Sequence, residues 1–119
     1  MIRVSRVYEA PSEDDGLRIL VDRLWPRGLT KERAAVDVWL KEIAPSTELR
    51  KRYHADHDWD AFRADYLSEL EENQEACSRV IELAEARTVT LLYGIRDAER
   101  NHALLIRELL AGREPTRIP

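Results

Sequence analysis

Residues 17–30 read LRILVDRLWPRGLT and contain the pattern that decides the fold. The first six residues form a dense run of leucine, isoleucine and valine, which is typical of a buried β-strand. Pro26 has no backbone N–H to give to a sheet, Gly28 can adopt a positive φ, and Thr30 is a favourable N-cap. The stretch therefore predicts a strand, then a stiff loop, then a helix that begins at Lys31.

Three more segments have the pattern of β-strands: residues 2–8, 36–40 and 88–93. The alternation in the first of them slips at Arg6, which falls on the apolar face, so we expect this strand to bulge or end there. The last segment, TVTLLY, is the clearest strand in the chain because it is rich in β-branched and aliphatic residues. The chain therefore has four predicted strands.

Apolar residues at helical spacing account for the segments between and after these strands. Ser46 is expected to cap a short helix, and a long apolar stripe is expected to form two helices that break at Asn73, with Asn73 as the cap of the second. Asp97 is expected to cap the last helix, which Gly112 and Pro115 end. Strands separated by helices of this length predict an α/β fold.

We expect a single layered domain over residues 1–119, with a mixed, largely parallel sheet covered by helices. A chain of 119 residues with 44% hydrophobic content can bury a core without disulfides or metal. The lone Cys77, the lack of a membrane-spanning apolar run and the lack of a signal pattern predict a cytoplasmic protein with no membrane partner. No dinucleotide, Walker or hydrolase motif is present, so no cofactor is predicted.

Three arginines lie in the loops that follow the two strongest strands: Arg23, Arg27 and Arg96. In an open α/β sheet, ligands bind beyond the carboxyl ends of the strands, and guanidinium groups and helix N-termini both favour anions. We therefore expect a site for a small anionic ligand such as a phosphate, a carboxylate or a nucleotide, with Gly28 helping to fix the loop. The alternative is that these arginines hold the loops by pairing with nearby carboxylates: Asp22, Asp37 or Asp97.

Further candidates lie close to these loops. His102 is a candidate acid or base, with Asp97 or Tyr93 orienting it, and the alternative is a buried structural histidine. Asn101 is expected to bond a loop backbone or a ligand. Trp25 is expected to stack on a planar ligand, and the alternative is a place in the core. The sequence YHADHD invites a metal interpretation, but no second cluster of His or Cys completes a ligand set, so no metal site is predicted.

Four motifs together resemble the YeaO-like family of small bacterial proteins of unknown function: VDRLWPRGLTKE at 21–32, WLKEIAPS at 39–46, WDAFRADYLSEL at 59–70 and TLLYGIRDAERNHA at 90–103. The resemblance extends from Val4 to about Gly112 and implies one α/β domain, but it implies no activity. It implies that His54, five residues before Trp59, matches the histidine of the family. Four residues of the last motif also match the family pattern: Tyr93, Asp97, Asn101 and His102.

Three classes of function remain open at this point. The first is a small enzyme or ligand-binding domain with an arginine-rich anion site at the carboxyl ends of the strands. The second is a nucleic-acid-binding or regulatory module, which the net charge of −4 disfavours. The third is a protein-interaction domain with an exposed aromatic patch around Trp25 or Trp39. The sequence does not define the oligomeric state.

Overall fold

A computed structural model describes residues 1–111 and residue 113, and its centre is a sheet of four strands. The strands are β1 (Ile2–Arg6), β2 (Leu17–Leu20), β3 (Val38–Trp39) and β4 (Val89–Tyr93). Their order across the sheet is β1-β4-β2-β3, and all three neighbouring pairs are parallel. The predicted α/β fold is therefore confirmed, and within the described residues the expected mixed sheet is in fact parallel throughout.

The helices are α1 (Lys31–Ala34), α2 (Thr47–Asp56), α3 (Trp59–Glu72), α4 (Gln74–Ala86) and α5 (His102–Ala111), with short 3-10 turns at Glu13–Asp15 and Lys41–Ile43. Two predicted caps are confirmed, because Thr30 Oγ1 accepts from the N–H of Arg33 and Ser46 Oγ accepts from the N–H of Leu49. None of the helices within the described part combines the length and the apolar character that a membrane span requires.

Of the other two predicted caps, Asn73 occupies the N-cap position of α4 without a capping side-chain bond, and Asp97 is wrong. The chain does break at Asn73, but the Asn73 side chain donates to the carbonyl of Glu42 at 2.6 Å instead of capping α4. Asn101 caps α5, because its Oδ1 accepts from the N–H of Leu104 at 3.0 Å. Asp97 lies too early in the chain for that role and caps the preceding turn. The expected helix stop at Gly112 and Pro115 lies outside the described residues.

Alternate strand residues pack on opposite faces of the sheet and form two apolar clusters. Ile19 and Leu91 belong to the larger cluster, which α3, α4 and α5 cover. Leu20 and Leu92 belong to a smaller cluster, against which the half-buried Trp25 packs. The two faces are thus covered by different parts of the chain, and the segment after β2 supplies residues to both.

A buried ion pair lies near the amino ends of the strands. Arg18 is only 5% exposed, and its guanidinium donates to Asp15 Oδ2 at 2.6 Å and to the carbonyls of Ala34 and Ala35 at 2.8 and 3.0 Å. Burial raises the pKa of Asp15, but the backbone N–H of Ser12 and the hydrogen bond and charge of Arg18 lower it below its ordinary value of 3.8. The pair joins β2 to the end of α1.

Gly16 is required where the chain enters β2. Its φ is 62°, and a Cβ at this position would lie 2.1 Å from the carbonyl oxygen of Thr88, so we expect Gly16→Ala to lower the free energy of unfolding by about 3 kcal/mol or more. Gly28→Ala is the matched control, because Gly28 has a φ of 82° but no atom within 4 Å of the added carbon. It should cost roughly 1–2 kcal/mol. Equal losses in urea denaturation would contradict this account.

Asp15 should make stability depend on pH. Because its pKa in the folded state lies below 3.8, its ionisation stabilises the fold above about pH 4, and this contribution is lost as the pH falls through the folded-state pKa. We expect Asp15→Asn to be less stable than the wild type at about pH 7, with a difference that shrinks toward about pH 2.5. The exposed Asp14→Asn is the control. Urea denaturation that gave Asp15→Asn wild-type stability at neutral pH would contradict the prediction.

Candidate functional site

A cleft of about 920 Å³ opens at the carboxyl edge of the sheet. Its lining comes from the residues that follow β2, from α2 and the start of α3, and from the loop between β4 and α5. This is the position at which parallel α/β sheets bind ligands, because loops diverge there and leave space above the strand ends. The cleft is within the range of volumes that hold small molecules.

One face of α2 lines the cleft. Arg50, Tyr53 and His54 are spaced at i, i+3 and i+4, which places them on the same side of the helix, and His57, the residue after its end, joins them in the lining. Within the described residues, no three His, Cys, Asp or Glu side chains come together as metal ligands. His54, which the resemblance matches to the histidine of the family, lies in the cleft beside His57, with ring centroids 6.4 Å apart.

Aromatic rings form a continuous series along the cleft. The ring centroids of Tyr53 and Phe62 are 4.8 Å apart, and Trp59 stacks on Phe62 at 5.5 Å. The series continues through Tyr66, 5.8 Å from Phe62, to His102, 6.3 Å from Tyr66. Tyr53 and Trp59 are half-buried, whereas Tyr66 is fully buried. Tyr53, Trp59, Phe62 and His102 thus line the cleft, and Tyr66 connects them behind the lining.

Positive charge dominates the lining. Five arginine and lysine side chains line the cleft, against two carboxylates. None of these five forms an ion pair among the described residues, and four of them are exposed. The four exposed cations are Arg50, Lys51, Arg96 and Arg100. A chain with a net charge of −4 thus gathers unpaired positive charge at one place, which is an arrangement that attracts anions.

The fifth cation, Arg23, is committed to the backbone. Arg23 donates to the carbonyls of Ala44 and Pro45 at 3.1 and 3.2 Å. Asn73 and Tyr66 donate to the carbonyls of residues 42 and 43, each at 2.6 Å. Glu69 accepts from the N–H and the hydroxyl of Ser46 at 2.9 and 2.6 Å. We call residues 42–46 the anchored segment. It leads directly into α2, so these hydrogen bonds fix the wall of the cleft. Arg23 therefore lies in the cleft lining, but its principal bonds position the wall.

His102 lies at the base of the cleft and is only 8% exposed. Its Nε2 is 3.0 Å from the carbonyl oxygen of Val21 and 2.8 Å from Asp22 Oδ1. Both neighbours are acceptors, so Nε2 carries a proton, and its N–H is directed at the carbonyl. The carboxylate beside His102 is thus Asp22, which corrects the expectation that Asp97 or Tyr93 orients the ring.

Four predicted site residues lie apart from this lining: Trp25, Arg27, Gly28 and Tyr93. Arg27 is exposed, and its carbonyl accepts from the Tyr8 hydroxyl at 2.7 Å. Trp25 packs edge-on against Trp39, with ring centroids 5.5 Å apart, in the cluster on the other face of the sheet. Gly28 has the positive φ that the sequence predicted. The loop after Arg23 therefore leaves the cleft, because its tryptophan packs beneath the sheet.

The remaining candidates lie in or behind the β4–α5 loop. Asn101 is 1% exposed, and its side chain donates to the carbonyl of Asp97 at 3.0 Å. Asp97 Oδ1 accepts from the N–H groups of Glu99 and Arg100 at 2.9 and 3.0 Å. Tyr93 is buried, and burial, followed by nearby carboxylates, raises its pKa. These residues shape the loop that carries the cations Arg96 and Arg100.

The carboxylates do not pair with the loop arginines. Asp37 accepts from the backbone N–H of Arg18, Asp97 caps its own turn, and Asp22 lies beside His102. Sequence reasoning missed Asp22 as a site residue, along with Arg50, Lys51, Arg100 and the rings of Tyr53, Trp59 and Phe62. The helical spacing from position 50 to 57 was the signal that could have identified one wall, given the full length of α2.

These features define an α/β protein with a positively charged, aromatic-lined cleft at the carboxyl edge of a parallel sheet. The chain belongs to the DUF488-N3i family, described as the inactive DUF488-N3 subclade, whose model matches residues 1–116. It is 46% identical to the "Uncharacterized protein YeaO" of Escherichia coli over 110 residues, which cover 92% of this chain and 96% of that protein. The predicted family resemblance is therefore confirmed.

Two mycobacterial proteins are also similar to this chain in sequence. The "Uncharacterized protein Rv3073c" of Mycobacterium tuberculosis and the "Uncharacterized protein Mb3100c" of Mycobacterium bovis are each 41% identical to this chain over 113 residues, which cover 94% of this chain and 95% of each relative. No solved structure matches the chain. The comparisons therefore define a family whose members share nearly their whole length.

Tyr66 should be essential to the wall of the cleft. Its hydroxyl donates to the carbonyl of Ile43 at 2.6 Å in a fully buried position, so Tyr66→Phe leaves an acceptor without its donor. We expect the free energy of unfolding in urea to fall by about 1–3 kcal/mol. Tyr53→Phe, at a half-buried position in the same aromatic series, should cost less than about 0.5 kcal/mol. A larger loss in Tyr53→Phe than in Tyr66→Phe would refute the assignment.

Proposed function

We propose that this protein binds a small planar anion in the cleft and acts as a ligand-binding domain. The observation that carries the proposal is the set of exposed, unpaired cations around an aromatic wall: Arg50, Lys51, Arg96 and Arg100. Cations that lack an ionic partner in the folded chain retain their full attraction for a ligand. Rings that are already packed against each other lose little freedom when a planar group stacks on them.

Both sides of the cleft contribute charge. Arg50 and Lys51 are carried on α2, whereas Arg96 and Arg100 are carried on the β4–α5 loop. A ligand that enters between them meets positive charge from two separate elements. Guanidinium groups bind carboxylate and phosphate oxygens through paired hydrogen bonds, which favours these anions over halides. Phosphates, carboxylates and nucleotides are therefore the ligand classes that the cleft suits.

Binding is favoured over catalysis. The family to which the chain belongs is described as inactive. The Nε2–H of His102 is directed at a backbone carbonyl, so this nitrogen does not offer a free base to a ligand. We propose that His102 and Asp97 support the shape of the cleft, through the base and through the β4–α5 loop respectively.

A charge-matched pair of double variants tests the proposal. Wild type, Arg50→Ala/Arg96→Ala and Arg27→Ala/Arg33→Ala are titrated with pyrophosphate, AMP and benzoate by calorimetry and thermal shift. A probe at about 100 times its dissociation constant stabilises the fold by about 2.7 kcal/mol, roughly 10 °C in a domain of this size. We expect the cleft variant to bind at least about 10-fold more weakly and the control, whose arginines lie outside the lining, to bind as the wild type does.

The same experiment separates the competing functions. No binding of any probe by the wild type, or equal weakening in both double variants, would refute the anion cleft. A short single-stranded DNA is included at low salt. If the DNA binds and the small probes do not, and binding falls steeply with added salt, the cations serve a nucleic-acid module instead.

A further inference from the structure

Asp22 is the residue of the cleft that a purely anion-binding function leaves unexplained. Its carboxylate lines a cleft whose other charges are mostly positive, and its side chain is 18% exposed. Oδ1 is buried 2.8 Å from Nε2 of His102, whose N–H is directed at the carbonyl of Val21, and Oδ2 accepts no hydrogen bond within the described residues. An acceptor at the base of a cleft that no protein group satisfies is available to a ligand.

The donors nearest to Asp22 are already committed. Arg23, the next residue in the chain, donates to two carbonyls of the anchored segment. The Tyr66 hydroxyl donates to a third carbonyl of that segment. His102 donates to Val21. Arg23 and His102, which adjoin Asp22 in sequence and in space respectively, thus donate to backbone carbonyls, which leaves Oδ2 of Asp22 as an acceptor at the base of the cleft.

Gly94 provides the space that the carboxylate occupies. A Cβ at position 94 would lie 2.8 Å from Asp22 Oδ2, so any side chain there would displace this oxygen. Gly94 is the first residue after β4, and Asp22 is the second residue after β2. Because β2 and β4 are neighbouring strands, these two residues lie side by side. The glycine is required by the position of the carboxylate and not by its own φ.

We infer that Asp22 Oδ2 accepts a hydrogen bond from an N–H group of the bound planar anion. This inference rests on the proposed function and deepens it, because it defines a ligand with an anionic group at one end and an amino or ring N–H donor at the other. The cations that meet the anionic group are exposed, whereas Asp22 and His102 lie deeper. Since Oδ1 is buried, one oxygen is available, which fits a single donor and not a two-pronged amidine.

Two pairs of probes that differ by one amino group test the inference: AMP against purine riboside 5′-monophosphate, and 4-aminobenzoate against benzoate. Sites that hydrogen-bond an N–H group reject analogues that lack it. We expect the wild type to bind the amino member of at least one pair about 10-fold or more tightly. Asp22→Ala should reduce this preference to less than about 2-fold, and Asp60→Ala, an exposed aspartate outside the cleft, should keep it.

Gly94→Ala provides a second variant that keeps the carboxylate but displaces it, and it decides the question if Asp22→Ala does not fold. It should also lose the preference. Wild type that binds both members of each pair equally, or variants that keep the preference, would overturn the inference while leaving the anion cleft intact. If neither these four probes nor pyrophosphate binds to the wild type, the proposed function itself fails, and the inference fails with it.

Discussion

The cleft depends on the hydrogen bonds that hold the anchored segment. Residues 42–46 have almost no regular secondary structure of their own beyond a 3-10 turn, yet each offers a backbone group to a side chain from α3, from the end of α3 or from the loop after β2. Because α2 begins immediately afterwards, the direction of this helix is set by these bonds. The bonds act together with the packing of Tyr53 on Phe62, which holds α2 against α3.

The same network connects the wall of the cleft to its base. Tyr66 bonds the anchored segment through its hydroxyl and packs its ring against His102. His102 bonds the backbone of Val21, which precedes Asp22. Arg23 then returns to the anchored segment. A closed circuit of contacts thus links α3, α5 and the end of β2, and a displacement of any one member is transmitted to the others.

Local patterns predicted the elements well, because they depend on neighbours in the chain. Thr30 and Ser46 cap the helices that follow them, as expected, and the break at residue 73 is present. Asn73 occupies the predicted N-cap position, but its side chain bonds the carbonyl of Glu42 and makes no capping bond. The direction that the chain takes after a loop depends on tertiary packing, so local sequence patterns did not predict it. Arg23 and Arg27 are close in sequence, but Trp25 packs against the other face of the sheet and separates them.

Prediction of the site was partial for the same reason. A cleft does open at the edge where the sequence predicts a site, since strand direction determines where parallel strands end. Arg23, Arg96, Asn101 and His102 do line one cleft there. Asp22 was considered only as a partner for arginine, because a carboxylate next to an arginine in sequence suggests an ion pair. Its real neighbour, His102, is 80 positions away in the chain, and only the packing of α5 brings the two together.

Most of the bonds to the anchored segment end on carbonyl oxygens, and a carbonyl is the same in every amino acid. These bonds therefore do not depend on which side chains occupy positions 42–44. They do depend on the side chains of Asn73, Tyr66 and Arg23, which are the donors. These hydrogen bonds accordingly constrain the donors, whereas Ile43 and Ala44 are constrained by their own burial in the core. Homologous proteins could then exchange the exposed side chain at position 42 without moving the helix that forms the wall of the cleft.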